Sequence, residues 1–295
     1  MGVDTKIEWA NAGLGRGATW NPVRARNRTN GKTGWYCEKV SPACDACYAE
    51  RQNIKAGASG GTGIAYKPGL RPAVEIYLDD KAAWQPLRMG TARGIFACSM
   101  TDLFGSFVPE MARIVVMGNA VMCPGHRFLL LTKRSAQMRI WLEDWKARLE
   151  AANPWVNHPG LGVARLVDLV DLAKLPDVLP NVWCGATVED QRRADERTPE
   201  LMATKTALRF FSCEPLLGPI DMHGMSPDWI IIGDESGVGA RPTEDGWRRG
   251  LIAQAEAAGV PVFDKQRVVA GKLQKLAPFD GKVRAAYPQG AGNGR

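Results

Sequence analysis

The chain has 295 residues, of which 45% are hydrophobic and 23% charged, and its formal net charge is +7. This composition is ordinary for a globular protein and excludes a fibrous or largely disordered chain, and the length suits one large α/β domain. The sequence has no run of about 20 apolar residues and no apolar signal region at its start, which predicts a cytoplasmic protein without membrane association.

The first part of the chain contains a short strand and a cysteine-rich loop. An extended run at residues 19–23 is followed by a polar loop at residues 24–34. Three of the seven cysteines, Cys37, Cys44 and Cys47, then form a C-x6-C-x2-C array. The residues from Cys44 onward favour a helix, so we expect the cysteines in a loop and in the first turn of a helix.

From residue 93 onward, apolar strands alternate with helices. Strands are predicted at residues 93–99, 126–132, 181–187, 208–212, 228–233 and 260–263. Helices are predicted at 109–121, 138–149, 163–174 and 244–258. A charged helix is also predicted after residue 187, followed by a second one that is capped by Thr198 with Pro199 at its first position. This alternation predicts an α/β fold with a parallel, TIM-barrel-like (β/α) barrel of six to eight strands, complete or partial. We expect one domain over residues 1–266.

A basic tail is expected at residues 267–295. Residues 265–295 contain seven Lys and Arg residues against one Asp. Such a segment can follow the phosphates of a nucleic acid, although a solvated terminal segment has the same composition.

Polar residues follow each predicted strand. In a parallel barrel these positions share one rim, where active sites are built. Many such residues only cap helices, but Glu214 and Glu235 lie in loops where no helix obviously begins, which favours a functional role. The other candidates at strand ends include Ser99, Asp102, Lys133, Arg134, Thr187 and Glu189.

Three clustered cysteines indicate a metal site in a reducing compartment. A 4Fe–4S cluster held by three thiolates would leave one iron open to another ligand. Zinc remains an alternative if Cys98 or Cys213 completes a four-thiolate set. Three unrelated buried cysteines are a third interpretation, because free cysteine is commonly buried.

Several segments together resemble a phage and bacterial family of radical-SAM-like barrel proteins with a three-cysteine motif. The matching segments are residues 19–23 (TWNPV), 40–50 (VSPACDACYAE), 99–104 (SMTDLF), 131–134 (LTKR), 188–191 (VEDQ), 212–219 (SCEPLLGP) and 235–237 (ESG). The resemblance runs from about residue 5 to residue 266. The radical S-adenosylmethionine superfamily usually has C-x3-C-x2-C, whereas the first gap here is six residues.

The resemblance implies an enzyme with a 4Fe–4S cluster and S-adenosylmethionine as cofactors. The three cysteines would hold three irons, and the methionine moiety of the cofactor would chelate the fourth. An external electron donor would then drive cleavage to a 5′-deoxyadenosyl radical, which abstracts hydrogen from the substrate. The implied substrate is a small molecule, a nucleotide or a nucleic-acid base, in the cytoplasm of a bacterium or a phage-infected host.

The resemblance also implies roles for the strand-end residues. Ser99 and Asp102 would hold the methionine amine, and Thr187 and Glu189 would lie near the ribose. Glu214 and Glu235 would lie near the adenosine or the substrate, as catalytic candidates. Lys133 and Arg134 would receive a carboxylate or phosphate, or would pair with acidic residues on the rim.

The competing hypothesis is a zinc- or cluster-stabilised nucleic-acid-binding protein without catalysis. Its support is the basic tail together with three arginines, at positions 24, 26 and 28, near Trp20 and Trp35. Basic and aromatic residues together suit strands with exposed bases. The polar residues at every strand end favour the enzyme, because a protein that only binds does not need them.

Overall fold

A computed structural model describes residues 4–55, 60–237 and 239–288. The strands are β1 (Gly17–Trp20), β2 (Val23–Asn27), β3 (Thr33–Gly34), β4 (Val74–Leu78), β5 (Gly94–Ala97), β6 (Arg127–Thr132), β7 (Trp155–His158), β8 (Gly162–Arg165), β9 (Val182–Thr187), β10 (Leu208–Cys213), β11 (Trp229–Gly233), β12 (Val262–Val269) and β13 (Lys272–Lys275). The α-helices are α1 (Tyr48–Ile54), α2 (Asp80–Ala83), α3 (Glu110–Met122), α4 (Ser135–Glu143), α5 (Trp145–Ala152), α6 (Leu166–Leu169), α7 (Gln191–Ala203) and α8 (Asp245–Ala257). Short 3-10 helices lie at Glu8–Asn11, Pro42–Cys44, Pro68–Ala73, Pro86–Arg88 and Leu172–Lys174.

The predicted α/β class and its parallel sheet are confirmed. Eight strands form one sheet in the order β1-β5-β6-β9-β10-β11-β12-β13, and every neighbouring pair is parallel except β12 and β13. The sheet is curled into a half-barrel. Among the described residues, no helix has both the length and the apolar character needed to cross a bilayer.

The concave side of the sheet has an aromatic floor. Trp9, in the first 3-10 helix, packs with ring centroids 4.9 Å from Phe96 and 6.3 Å from Trp229. Trp183 and Phe210 belong to the same buried cluster. Because this cluster fills the end of the half-barrel where the strands begin, the remaining concave space lies near the strands' carboxyl ends.

The loop expected at residues 24–34 is instead part of a small antiparallel sheet. β2 pairs with β3 and with β4, beside the main sheet. Val23 and Ala25 are buried, and Arg24 and Arg26 alternate with them. The segment has the two-residue period of a strand, and its arginines made it look like a polar loop.

Four helix predictions also differ from the structure. The charged segment after β9 is one helix, α7, capped by Asp190 and containing Pro199, and no second helix begins at Thr198. The helix expected at residues 138–149 is two helices that break at Asp144. The helix expected at residues 163–174 is β8, the second strand of the β7–β8 hairpin, followed by short helical turns. The helix expected from Cys44 onward begins only at Tyr48.

The strand expected at residues 260–263 extends much further. β12 continues to Val269 and forms a hairpin with β13, so the expected boundary after residue 266 falls inside a strand. The chain then returns to the sheet, where Ala286 N donates to Val262 O at 3.0 Å. Tyr287 packs against Trp229 with centroids 5.5 Å apart. Residues 289–295 of the predicted tail lie outside the described residues.

Gly185 is expected to be essential for the packing of the floor. A Cβ at this position in β9 would lie 2.3 Å from the ring of Phe210. Gly185→Ala is therefore expected to lower the free energy of unfolding by about 1–3 kcal/mol, measured by chemical denaturation. Gly250→Ala is the control, because that position in α8 has no neighbour within 4 Å. The control is expected to be neutral or stabilising by up to about 1 kcal/mol, and equal losses in both variants would contradict this role of Gly185.

Candidate functional site

One cavity opens at the carboxyl ends of the parallel strands. Its wall contains ten of the eleven predicted site residues, which are Cys37, Cys44, Cys47, Ser99, Asp102, Lys133, Arg134, Thr187, Glu214 and Glu235. Trp9 and Phe96 of the aromatic floor also line it. The structure thus brings together side chains that are almost 200 positions apart in the chain.

Glu189 is the predicted residue that lies elsewhere. It is fully buried, and its Oε2 accepts a hydrogen bond from Arg197 Nη1 at 2.7 Å. The same nitrogen donates to the Thr187 carbonyl at 2.7 Å. Glu189 therefore holds α7 against the end of β9, and it does not face the cavity.

The three cysteines approach the cavity from one irregular segment, residues 37–47, which we call the cysteine loop. Cys44 ends a 3-10 turn and Cys47 caps α1, and all three thiols are half-buried. Burial and the nearby Asp102 carboxylate raise the pKa of Cys37 to about 12, although the Arg134 guanidinium opposes this shift. The Cys37 thiol is therefore protonated at neutral pH, and binding a metal ion would release this proton.

The donor set at this wall fits an iron–sulfur cluster chemically. Three thiols reach one cavity from a single loop, and in a cluster each thiolate binds a different iron. Among the described residues, no group of three or more His, Cys, Asp or Glu side chains has the arrangement of a metal-ion site. Of the two cysteines that could complete a zinc site, Cys98 lines the cavity and Cys213 is buried away from it.

Asp102 connects two strand ends. Its carboxylate accepts hydrogen bonds from Thr132 Oγ1 at 2.6 Å and from the Lys133 backbone at 3.0 Å. It also forms an ion pair with Arg134 at 2.9 Å. Ser99 is held from the other side, since Asn21 Nδ2 donates to Ser99 Oγ at 3.1 Å. The predicted amine-binding residues are therefore already fixed by protein contacts.

The two adjacent basic residues after β6 have different surroundings. Arg134 pairs with Asp102, as one of the two sequence interpretations expected. Lys133 instead points its Nζ to Thr187 Oγ1 at 3.4 Å, and it is in no ion pair within the described part of the chain. Lys133 is therefore a cavity-lining cation that is free to meet an anionic group.

Glu214 and Lys265 form an ion pair across an intervening strand. Lys265 Nζ lies 2.5 Å from Glu214 Oε2, and the two side chains are only 18% and 12% exposed. β11 lies between them and contributes Gly233, where a Cβ would approach Glu214 Cγ to 3.1 Å. A bulge in β12 makes Lys265 the extra residue opposite β11 and turns it towards the cavity. Glu214 Oε1 is buried and has no hydrogen-bond partner in the described structure.

Glu235 follows β11 and pairs with Arg241. Arg241 Nε donates to Glu235 Oε2 at 2.9 Å, and its Nη2 donates to Oε1. Burial alone would raise the pKa of Glu235, but the hydrogen bonds and charge of Arg241 lower it below the usual range. The carboxylate thus remains ionised at the edge of the cavity.

A second buried ionic group lies beneath this edge. Arg248 of α8 is 1% exposed and pairs with both Asp234 and Asp264. Asp234 also accepts a hydrogen bond from the Val268 backbone at 2.6 Å. Arg248 therefore joins α8 to the end of β11 and to the first half of β12.

The residues proposed for base stacking are differently placed. Trp20 is fully buried and its indole donates to the Ala82 carbonyl at 2.8 Å, so it is not available to a nucleic acid. Trp35 is half-buried beneath Arg24, whose Cζ lies 4.3 Å from the ring centroid. Trp20 therefore cannot contribute to a nucleic-acid-binding surface.

Sequence reasoning did not select Lys265, Arg51 or Arg241 as site residues. Lys265 was visible only as one of several polar residues after the last strand, and the bulge that aims it inward has no signal in the sequence. Arg51 binds Ser236 O, and Arg241 binds Pro42 O, across 185 and 199 positions of the chain. Such contacts follow from the tertiary structure alone.

The fold and the cavity define an α/β protein with a cysteine-lined cavity at the carboxyl ends of a curled parallel sheet. The family model described as "Protein of unknown function (DUF5131)" matches residues 4–284, and the chain belongs to this family. Comparison with curated proteins and with solved structures finds no match.

Proposed function

We propose that the protein is an iron–sulfur enzyme of the radical S-adenosylmethionine type. The observation that carries this proposal is the shared cavity, where three thiols of one loop face polar groups from successive parallel strands. Such strand ends are the usual location of active sites in α/β barrels. The sequence resemblance to radical-SAM-like barrel proteins supports the same function.

Cys37, Cys44 and Cys47 would hold a 4Fe–4S cluster at one side of the cavity. When bound, the cluster and S-adenosylmethionine supply one-electron chemistry that begins with cleavage of the sulfonium, with the electron coming from an external donor. The aromatic floor around Trp9 closes the opposite end of the cavity. Because that end is apolar and buried, it limits the access of water to reactive species.

The remaining polar groups indicate what kind of substrate this chain would bind. Lys133 offers a free ammonium, which suits a carboxylate or phosphate. Glu214 Oε1 offers a buried acceptor without a donor, which suits an N–H or O–H group. A nucleotide or a nucleic-acid base within a strand carries both kinds of group, and we propose this class as substrate.

The reaction test is cleavage of S-adenosylmethionine. Protein reconstituted anaerobically with iron and sulfide is expected to form 5′-deoxyadenosine when a reductant is added, as measured by chromatography. The Cys44→Ala variant, treated identically, is expected to form none, because it lacks one of three cluster ligands. Equal amounts of product from both proteins, or none from a protein loaded with about four irons, would contradict the proposed reaction.

A further inference from the structure

Three arginine side chains bind the backbone of the cysteine loop. Arg134 Nη2 donates to Glu38 O at 3.2 Å, Arg241 Nη2 donates to Pro42 O at 2.9 Å, and Arg51 Nη1 donates to Ala46 O at 2.6 Å. Each of these carbonyls lies within two residues of a different cysteine. The loop is thus held at one point near each candidate ligand.

The first arginine is fixed by the strand end that carries Asp102. Arg134 and Asp102 form an ion pair at 2.9 Å, with side chains 12% and 8% exposed. Asp102 is itself held by Thr132 Oγ1 at 2.6 Å. A buried ion pair with these additional hydrogen bonds has little rotational freedom, so Arg134 keeps a fixed position beside the loop.

The second arginine is fixed by Glu235. Arg241 uses two nitrogens on this carboxylate and also binds Pro42 O, so one planar guanidinium joins the end of β11 to the middle of the loop. Glu235 has a side chain that is only 3% exposed. The five donors of arginine allow all these bonds at once, which a lysine cannot reproduce.

The third arginine depends on a glycine. Arg51 binds Ala46 O with one nitrogen and Ser236 O with the other. Gly237 has φ +101°, and a Cβ there would lie 2.5 Å from Arg51 Nη2. The segment 235–237 therefore positions two arginines. The Glu235 carboxylate binds Arg241, the Ser236 carbonyl binds Arg51, and Gly237 leaves room for the Arg51 guanidinium.

We propose that Arg51, Arg134 and Arg241 form an arginine clamp that holds the cysteine loop against the strand ends, with its three thiols at the cavity, before any metal is present. The arginines act through the loop backbone, so they are positioning residues. Their positive charges also lie beside ligands that become negative on binding a metal. This inference rests on the proposed function only in taking the bound metal to be an iron–sulfur cluster.

Hydrogen exchange of the reduced, metal-free protein tests the clamp. Arg241→Met and Arg134→Met are each expected to raise exchange in residues 37–48 by tenfold or more, while exchange in β9 remains unchanged. Arg241→Lys is expected to be intermediate, because it keeps the charge and loses the forked geometry. Arg267→Met is the matched control, since Arg267 also bonds a carbonyl, Pro278 O at 3.0 Å, and a carboxylate, but away from the loop.

Loss of bound metal to a chelator is the second readout. After loading, the clamp variants are expected to lose metal about 10–100-fold faster than the wild type and the Arg267→Met control. Arg241 is 37% exposed, so its substitution is expected to leave the fold intact, and exchange in β9 reports any global unfolding. Wild-type exchange and wild-type metal loss in all clamp variants would overturn the clamp.

The clamp and the proposed enzyme can fail separately. If the variants exchange faster in the loop but the wild type binds zinc or cleaves no S-adenosylmethionine, the clamp is supported and the proposed radical enzyme is contradicted. If the wild type cleaves S-adenosylmethionine but the variants match it in loop exchange and metal loss, the proposed enzyme is supported and the clamp is contradicted.

Discussion

Replacing Cys44 with Ala is expected to reduce the iron bound after anaerobic reconstitution from about four per chain to near zero. Cys44 is half-buried on the wall of the shared cavity, and the loop offers three thiols for a cluster that needs at least three. Cys37→Ala and Cys47→Ala are expected to behave in the same way. The measurement is iron and sulfide content together with the visible absorption spectrum.

Two other cysteines provide the controls. Cys123→Ala removes a buried thiol outside the cavity wall and is expected to retain full iron content. Cys98→Ala distinguishes a zinc site from an iron–sulfur cluster, because Cys98 lines the cavity and would be the fourth ligand of a zinc site. Retention of metal in Cys98→Ala agrees with a cluster on three thiolates, whereas its loss would indicate a four-thiolate site.

Replacing Arg248 with Met is expected to lower the free energy of unfolding at pH 7 by about 3–5 kcal/mol. Arg248 is 1% exposed and is the shared partner of Asp234 and Asp264, so its removal leaves two buried carboxylates without the cation that pairs with both. Arg249→Met on the same helix is the control. Arg249 is 56% exposed where it pairs with Asp280, and its loss is expected to change stability by less than about 1 kcal/mol.

The defect of Arg248→Met should depend on pH with a defined sign. Burial already raises the pKa of Asp264, and Arg248 opposes that shift. Without Arg248 the folded-state pKa rises further above the unfolded value of about 3.9. Such a group favours folding when protonated, and this contribution is lost as pH rises through the folded pKa. Denaturation of the variant is therefore expected to show a smaller defect as pH falls from 7 towards 4, and a constant defect would contradict this explanation.

The predicted strands that were correct share one property. β6 and β11 each contain four consecutive large apolar residues, at 128–131 and 229–232, and such runs are typical of buried parallel strands. β2 was missed because polar residues alternate with apolar ones along it, and β13 was missed because three of its four residues are polar. β13 is exposed along its whole length, so its sequence lacks the alternation of apolar and polar residues that marks a strand with one buried face.

The site was predictable to the extent that it depends on topology. The carboxyl ends of parallel strands meet at one rim, so Glu214 and Lys133 were expected near the cysteines, and they line the same cavity. The orientation of Glu189 could not be predicted, because a residue directly after β9 can point either into the cavity or away from it. The ion pair with the buried Arg197 turns its side chain away from the cavity. Arg241 could not be selected, because its contact with the loop joins residues 199 positions apart.

Metal analysis of protein purified without oxygen tests the central claim most directly. We expect a brown protein with about four irons and four sulfides per chain, lost together in the Cys44→Ala variant. A colourless protein that carries one zinc per chain would contradict the proposed iron–sulfur enzyme.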